Sequence, residues 1–323
     1  MNPTLLFPPT PGIKTHHLPT PSSQIYVLDS HPSTPQSPSK PTLLLIHGNS
    51  SCTRIWHPLL TRTPLTQTHR VIALDLPGHG CSDDAPTHQK EQVYTMRGYA
   101  ECILGILSKL GVRRFCVVGW SLGGHVGIEM VAILKRNRDA DLNVEVEMEM
   151  EIKGLMLIGT PPSLGTTQVK AAFSKTPSSP VMPLASQSYL TPQEAFDYAV
   201  AVTGPPFEDW QREAVSRTDG QCRKIMFSSF TSGIGVDQVA VVESETDVLF
   251  AVVNGSEDPF VNLDYVDGVK WGRLWGGRCE NSSFGVSRHQ VGSNVEGRDV
   301  LVNEVDQGTR AVGKDTLLMG TLT

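Results

Sequence analysis

Short apolar runs that end in glycine or a polar turn recur along the chain. They alternate with stretches whose apolar residues return every three or four positions. "TLLLIHG" (42–48), "RVIALDLPGHG" (70–80), "RFCVVGW" (114–120), "IKGLMLIGTPP" (152–162) and "TDVLFAVVNGSEDP" (246–259) carry runs of the first kind. Each run has the length of a strand and is apolar at consecutive positions, the pattern of a parallel strand buried on both faces. "YTMRGYAECILGILSKLG" (94–111) is of the second kind: Tyr99, Ile103, Ile106 and Leu110 share one helical face, and Gly111 supplies the stop. "SLGGHVGIEMVAILKR" (121–136) is predicted to be the next helix. The alternation predicts an α/β protein, with helices on both faces of a mostly parallel sheet.

Four segments break this rhythm. Residues 1–41 are rich in Pro, Ser and Thr, as in "HPSTPQSPSKP" (31–41), and are expected to form a flexible N-terminal segment in which "QIYVLDS" (24–30) is an edge strand at most. "NRDADLNVEVEMEMEIK" (137–153) alternates apolar and acidic residues and is expected to be a low-complexity insertion rather than a half-exposed strand extension. Residues 161–244 are helical or loop-like. There "TPQEAFDYAVAV" (191–202) opens with a Thr N-cap, a Pro in the first turn and a Glu three residues after the Thr, and "FEDWQREAVSRT" (207–218) is a second helix. A helical excursion between two sheet strands is expected to be a lid over the C-terminal edge of the sheet. The fourth segment, 279–323, is Gly-, Ser- and Asn-rich with weak periodicity, and is expected to be an atypical, poorly ordered tail.

With 323 residues, 39% hydrophobic and 19% charged, the chain is long enough for one large α/β domain. The formal net charge of −6 leaves no basic stripe to neutralise phosphates, which argues against nucleic acid as a partner. The apolar runs are far too short for a membrane span, and the N-terminus lacks the pattern of a secretory signal. Six cysteines without CxxC spacing read as reduced small hydrophobes, so the expected location is cytoplasmic. No His/Cys/Asp cluster has metal-ligand spacing, and no cofactor is expected.

The chemistry centres on Gly119-Trp120-Ser121-Leu122-Gly123, a G-x-S-x-G pentapeptide between a predicted strand and a predicted helix. That context is a nucleophile elbow, with glycines where side chains would clash. An oxyanion hole needs two backbone donors. Leu122 N–H, at the helix start, is one candidate. Asn49, in the loop after "TLLLIHG", is the other, with Ser50 as second choice. His47 ends the strand before that loop and is expected to hold it in place. The acid is expected after the last strand: Asp258, held beside Pro259, with Glu257 as runner-up.

These motifs, with "VIALDLPGHGCSD", "LIGTPP" and "VVNGSEDPFVNLDYV", resemble in order and spacing the α/β-hydrolase superfamily, most of all its single-domain esterase- and lipase-like members with a helical lid. The resemblance covers Thr42 to Gly277. It implies an eight-stranded, mostly parallel sheet, a Ser-Asp-His triad and a hydrolase domain over 42–278 with its lid at 161–244. In the family the base follows the acid in a Gly-His loop before a final amphipathic helix. Here the one histidine after Asp258 is His289, in "FGVSRHQVGSN", with no Gly before it. A shifted reading frame or altered splicing would leave such a tail. His79 and His125 are expected to be structural. The resulting expectation is a serine hydrolase of a small-molecule carboxylic ester or similar acyl bond, using Ser121, Asp258 and His289 with Asn49 and Leu122. The rivals are a non-catalytic protein of the same fold without its base, and a carbon–carbon bond hydrolase or perhydrolase with the same triad.

Overall fold

The computed structural model describes residues 4–30, 40–139, 150–173, 181–204, 206–255 and 258–275. Seven strands are formed among them: β1 (Lys14–Pro19), β2 (Gln24–Asp29), β3 (Thr42–Ile46), β4 (Val71–Leu74), β5 (Arg114–Trp120), β6 (Glu151–Ile158) and β7 (Leu249–Val253). They make one sheet in the order β1-β2-β4-β3-β5-β6-β7. β1 and β2 join it antiparallel, and every pairing from β4 to β7 is parallel. Among the described residues one further bridge lies beyond β7. Phe250 donates its N–H to Arg273 O (2.9 Å) and accepts from Trp275 N–H (2.7 Å), a parallel bridge at the β7 edge where the described residues stop.

The helices are α1 (His57–Arg62), α2 (Leu65–Thr68), α3 (Lys90–Val93), α4 (Met96–Lys109), α5 (Leu122–Asp139), α6 (Gly165–Ala172), α7 (Pro192–Thr203), α8 (Asp209–Arg217), α9 (Gly220–Thr231), α10 (Gln238–Ser244) and α11 (Leu263–Asp267). Strand alternation sorts the core into two layers. Leu44 and Ile46 of β3 join Tyr99, Ile103 and Ile106 of α4 and Val126 of α5 on one face. Leu43 and Leu45 join Trp56, Leu59 and Trp210 on the other. Gly111, at φ +68°, stops α4 as its sequence predicts. The capping box of α7 is formed: Thr191 Oγ1 accepts from Glu194 N–H, and Glu194 accepts from Thr191 N–H at 2.7 Å.

The N-terminal expectation is corrected. "QIYVLDS" is not an edge strand: β2 pairs on both sides, with β1 and β4, and buries Ile25 to Asp29. The prolines flank this segment instead of interrupting it, so its ladder hydrogen bonds survive. β1, with a largely exposed face, takes the edge. The acidic alternation also reaches the sheet, since Glu151 and Ile152 open β6, while residues 140–149 lie outside the described set. Between β6 and β7 the chain makes a helical excursion, α6 to α10. The tail expectation for 279–323 falls outside the described residues.

Candidate active site

β5 ends at Trp120, and α5 starts two residues later. The chain reverses through Ser121, which takes φ +51°, a left-handed conformation that few side-chain-bearing residues adopt. Backbone bonds hold it there. Its N–H donates to Ile158 O (2.8 Å), its C=O accepts from Gly124 N–H (2.9 Å), and Thr160 Oγ1 lies 3.0 Å from the same carbonyl. No hydrogen bond among the described residues ends on Ser121 Oγ, so the hydroxyl is uncommitted there. The flanking glycines are sterically required. A Cβ on Gly119 would lie 2.5 Å from the backbone of Gly123, and one on Gly123 would lie 2.2 Å from Ile46 O. The second contact presses the first turn of α5 against the end of β3. Leu122 opens α5, where N–H groups have no intrahelical acceptor.

The loop after β3 is fixed from beneath and from above. His47, fully buried, accepts Leu76 N–H on Nε2 (3.0 Å) and donates from Nδ1 to Gly48 O (2.8 Å). Both nitrogens are spent on backbone, and burial pushes the ring down to about 4, so His47 is a neutral brace. Ser51 N–H closes a turn onto Gly48 O (3.3 Å), with Ser50 at φ +57° inside it. Ser50 Oγ donates to Asn49 Oδ1 (3.2 Å), while Asn49 Nδ2 donates to Ala185 O (3.0 Å) and Tyr198 Oη (3.4 Å). Asn49 therefore ties this loop to α7 and to the 3-10 turn at Met182–Ser186.

Asp258 stands in the turn after β7, its N–H on Gly255 O (3.1 Å). Its Oδ1 accepts from Phe260 N–H (2.8 Å) and Val261 N–H (2.9 Å). That leaves Oδ2 directed at Gly159, 3.8 Å from where a Cβ would stand. Gly159 follows Ile158, whose carbonyl anchors Ser121, so the end of β6 lies between the serine after β5 and the carboxylate after β7. Glu257 and His289 lie outside the described residues. The other buried histidines each hold another partner on Nδ1, while His79 Nε2 has none among the described residues. His125 Nδ1 meets Gln238 Oε1 at 2.7 Å with its ring beside Phe230, and burial lowers it to about 4. His79 Nδ1 meets Pro77 O at 3.1 Å, and burial lowers it far below the usual range.

Sequence reasoning missed Thr160, Tyr198 and Arg223. Arg223 Nη1 reaches Ser50 Oγ at 3.4 Å from α9, a helix within a region the sequence showed only as helical or loop-like. Among the described residues no group of His, Cys, Asp and Glu is placed to hold a metal.

A family model for the alpha/beta hydrolase fold matches residues 41–179. The chain is similar to the crystal structure of the N-acyl homoserine lactonase AidH complexed with N-butanoyl homoserine: 40% identity, TM-score 0.69, covering 81% of this chain and 85% of that one. It also shares its fold with the esterase RhEst1 from Rhodococcus sp. ECU1013, at 21% identity and TM-score 0.58, covering 82% of this chain and 89% of that one. The pimeloyl-[acyl-carrier protein] methyl ester esterase of Nitrosomonas europaea is 32% identical over 90 residues, which are 28% of this chain and 31% of that protein. Matches of this kind span between 25% and 34% of the length of such curated relatives. The chain belongs to the α/β-hydrolase superfamily.

Proposed function

We propose that this chain is a serine hydrolase that cleaves a carboxylic ester, lactones included, through an acyl-enzyme on Ser121. The observation that carries the reading is the left-handed φ of +51° at Ser121, on a turn walled by glycines between β5 and α5. Strain of that kind concentrates where a side chain must be presented to a substrate. Ser121 Oγ attacks the acyl carbon while a histidine takes the hydroxyl proton, and the tetrahedral oxyanion is held by the N–H groups of Leu122 and Asn49. Collapse expels the alkoxide, which receives that proton. Water then repeats the sequence on the acyl-enzyme. Asp258 orients the imidazole through its Oδ2, and chain order offers His289 as the base.

The lactonase relative directs the substrate choice. A related protein was crystallised with N-hexanoyl homoserine lactone, whose ring is an ester. N-acyl homoserine lactones are therefore the first substrates to test, beside short p-nitrophenyl esters. The helices from α6 to α10 act as the lid that sets acyl size. A fluorophosphonate should modify Ser121 in the full chain and not in Ser121→Ala. Ester or lactone turnover surviving in Ser121→Ala rules out Ser121 as nucleophile. Turnover surviving in His289→Ala places the base elsewhere.

The second reading, a protein of this fold without turnover, draws on the histidines: His47, His79 and His125 are each buried with Nδ1 held by another partner. It predicts neither label nor hydrolysis in the full chain.

A further inference from the structure

Arg223 of α9 is 3% exposed and has no carboxylate within ion-pair distance among the described residues. The nearest acid in sequence, Asp219, is engaged by Lys90 Nζ at 2.5 Å. Burial pulls Arg223 below the ordinary arginine value, yet an arginine stays charged at physiological pH. A buried cation without a counter-charge is costly, so its retention calls for a use.

Its hydrogen bonds point to that use. Nε donates to Gln187 O (2.8 Å), and Nη1 reaches Val215 O (3.2 Å) and Ser50 Oγ (3.4 Å). One guanidinium thus links the segment before α7, the body of α8 and the loop after β3. Ser50 is a strained residue whose left-handed φ a serine does not choose unaided. Its hydroxyl is also the donor to Asn49 Oδ1, at 3.2 Å. A continuous chain runs Arg223–Ser50–Asn49–Tyr198, from the excursion into the loop and back.

We propose that Arg223 is a positioning residue for the oxyanion side of the site: from the lid, it fixes the Asn49–Ser50 turn so that its backbone donors face the reacting carbonyl. The inference rests on the serine-hydrolase reading above. It places part of the catalytic preorganisation on a helix that carries no reacting group. It also makes lid position and oxyanion geometry interdependent, because a shift of α9 transmits to Ser50. A fixed cation behind the turn further favours the negative charge that develops there.

The test compares wild type, Arg223→Gln and Arg223→Lys in the full chain, with thermal melting to establish that each folds. Readouts are the rate of fluorophosphonate labelling of Ser121 and the split between kcat and KM on a p-nitrophenyl ester. Misaligning one oxyanion donor acts on the transition state, so Arg223→Gln is expected to slow labelling and lower kcat by about 10²-fold with KM nearly unchanged. Lysine keeps the charge without the fork and should restore part of the rate. Glycine accepts left-handed φ without help, so the Arg223→Gln loss should shrink in a Ser50→Gly background.

Labelling and kcat equal to wild type in a folded Arg223→Gln or Arg223→Lys overturn the inference alone. So does an effect confined to KM, which would make Arg223 a substrate-binding group. If Arg223→Gln does not fold, Arg223→Lys decides between the same outcomes. A wild-type chain that takes no label overturns the serine-hydrolase reading, and this inference with it.

Discussion

Replacing Ser121 by glycine should stabilise the protein relative to replacing it by alanine, while both lose the hydroxyl. The comparison isolates backbone strain. Every hydrogen bond that Ser121 makes among the described residues is made by its backbone N–H or C=O, so both variants keep them. Alanine holds the same φ of +51° at a cost of about 1–3 kcal/mol. Glycine removes that cost but adds about 0.4–1 kcal/mol of unfolded-chain entropy. The net advantage of Ser121→Gly over Ser121→Ala is therefore about 0.5–2 kcal/mol. For a domain of this size, each kcal/mol corresponds to roughly 2–4 °C in melting temperature. Urea denaturation of the two variants at equal m-value measures the difference. A glycine variant no more stable than the alanine variant would refute the strained-elbow reasoning, whatever the activity.

Asp258→Asn should cut ester turnover by about 10⁴-fold, because the amide orients the wrong tautomer. If Glu257→Gln shows that loss instead, Asp258 is the turn's brace, a role its Oδ1 bonds to Phe260 and Val261 already fill. Asn49→Ala should be felt, since it deletes the bonds to Ala185 and Tyr198 and the acceptor for Ser50, and Asn49→Pro should be worse because it also removes the backbone donor. Kinetics that rank alanine at or below proline would argue against an oxyanion role for Asn49 N–H. Stability should fall as pH drops from about 6.5 toward 4. The buried rings of His47 and His125 are held at about 4 against 6.5 when unfolded, and burial also lowers His79 well below its usual range. The unfolded chain therefore takes up protons first, and the stability present above pH 6.5 is lost on acidification. Asp75, pushed up to about 6, and the raised Glu129 oppose this over part of the range. The rings that take up protons first in the unfolded chain outnumber the raised carboxyls, so the net slope is a loss of stability on acidification. A denaturation midpoint unchanged between pH 6.5 and 5 would contradict it.

The sequence by itself determined the parallel half of the sheet, the strand–turn–helix at Ser121, the end of α4 and the start of α7. Runs such as Leu43–Ile46 and Phe115–Val118 are buried on both faces, and burial on both faces leaves continuous hydrophobicity as a local signature. The α4 stop at Gly111 and the α7 cap at Thr191 were legible because capping is chemistry between near neighbours. The antiparallel β1–β2 pair was not legible in the same way: its prolines look like loop until β4 supplies a partner for Val27 to Asp29. Nor was the division of labour among His47, His79 and His125, since a ring's role depends on what lies across from it. Arg223 shows the limit most sharply. On α9 it reads as a surface charge, as arginines in helices usually are, and nothing in its neighbours says otherwise. Only when residues 50, 187 and 215 converge on it, from sequence separations of 173, 36 and 8, does it become a buried cation at the turn after β3. Local pattern specifies elements because their forces act within a few residues. Burial, pairing and charge environment are decided by contacts between distant segments, which exist only once the sheet has brought them together.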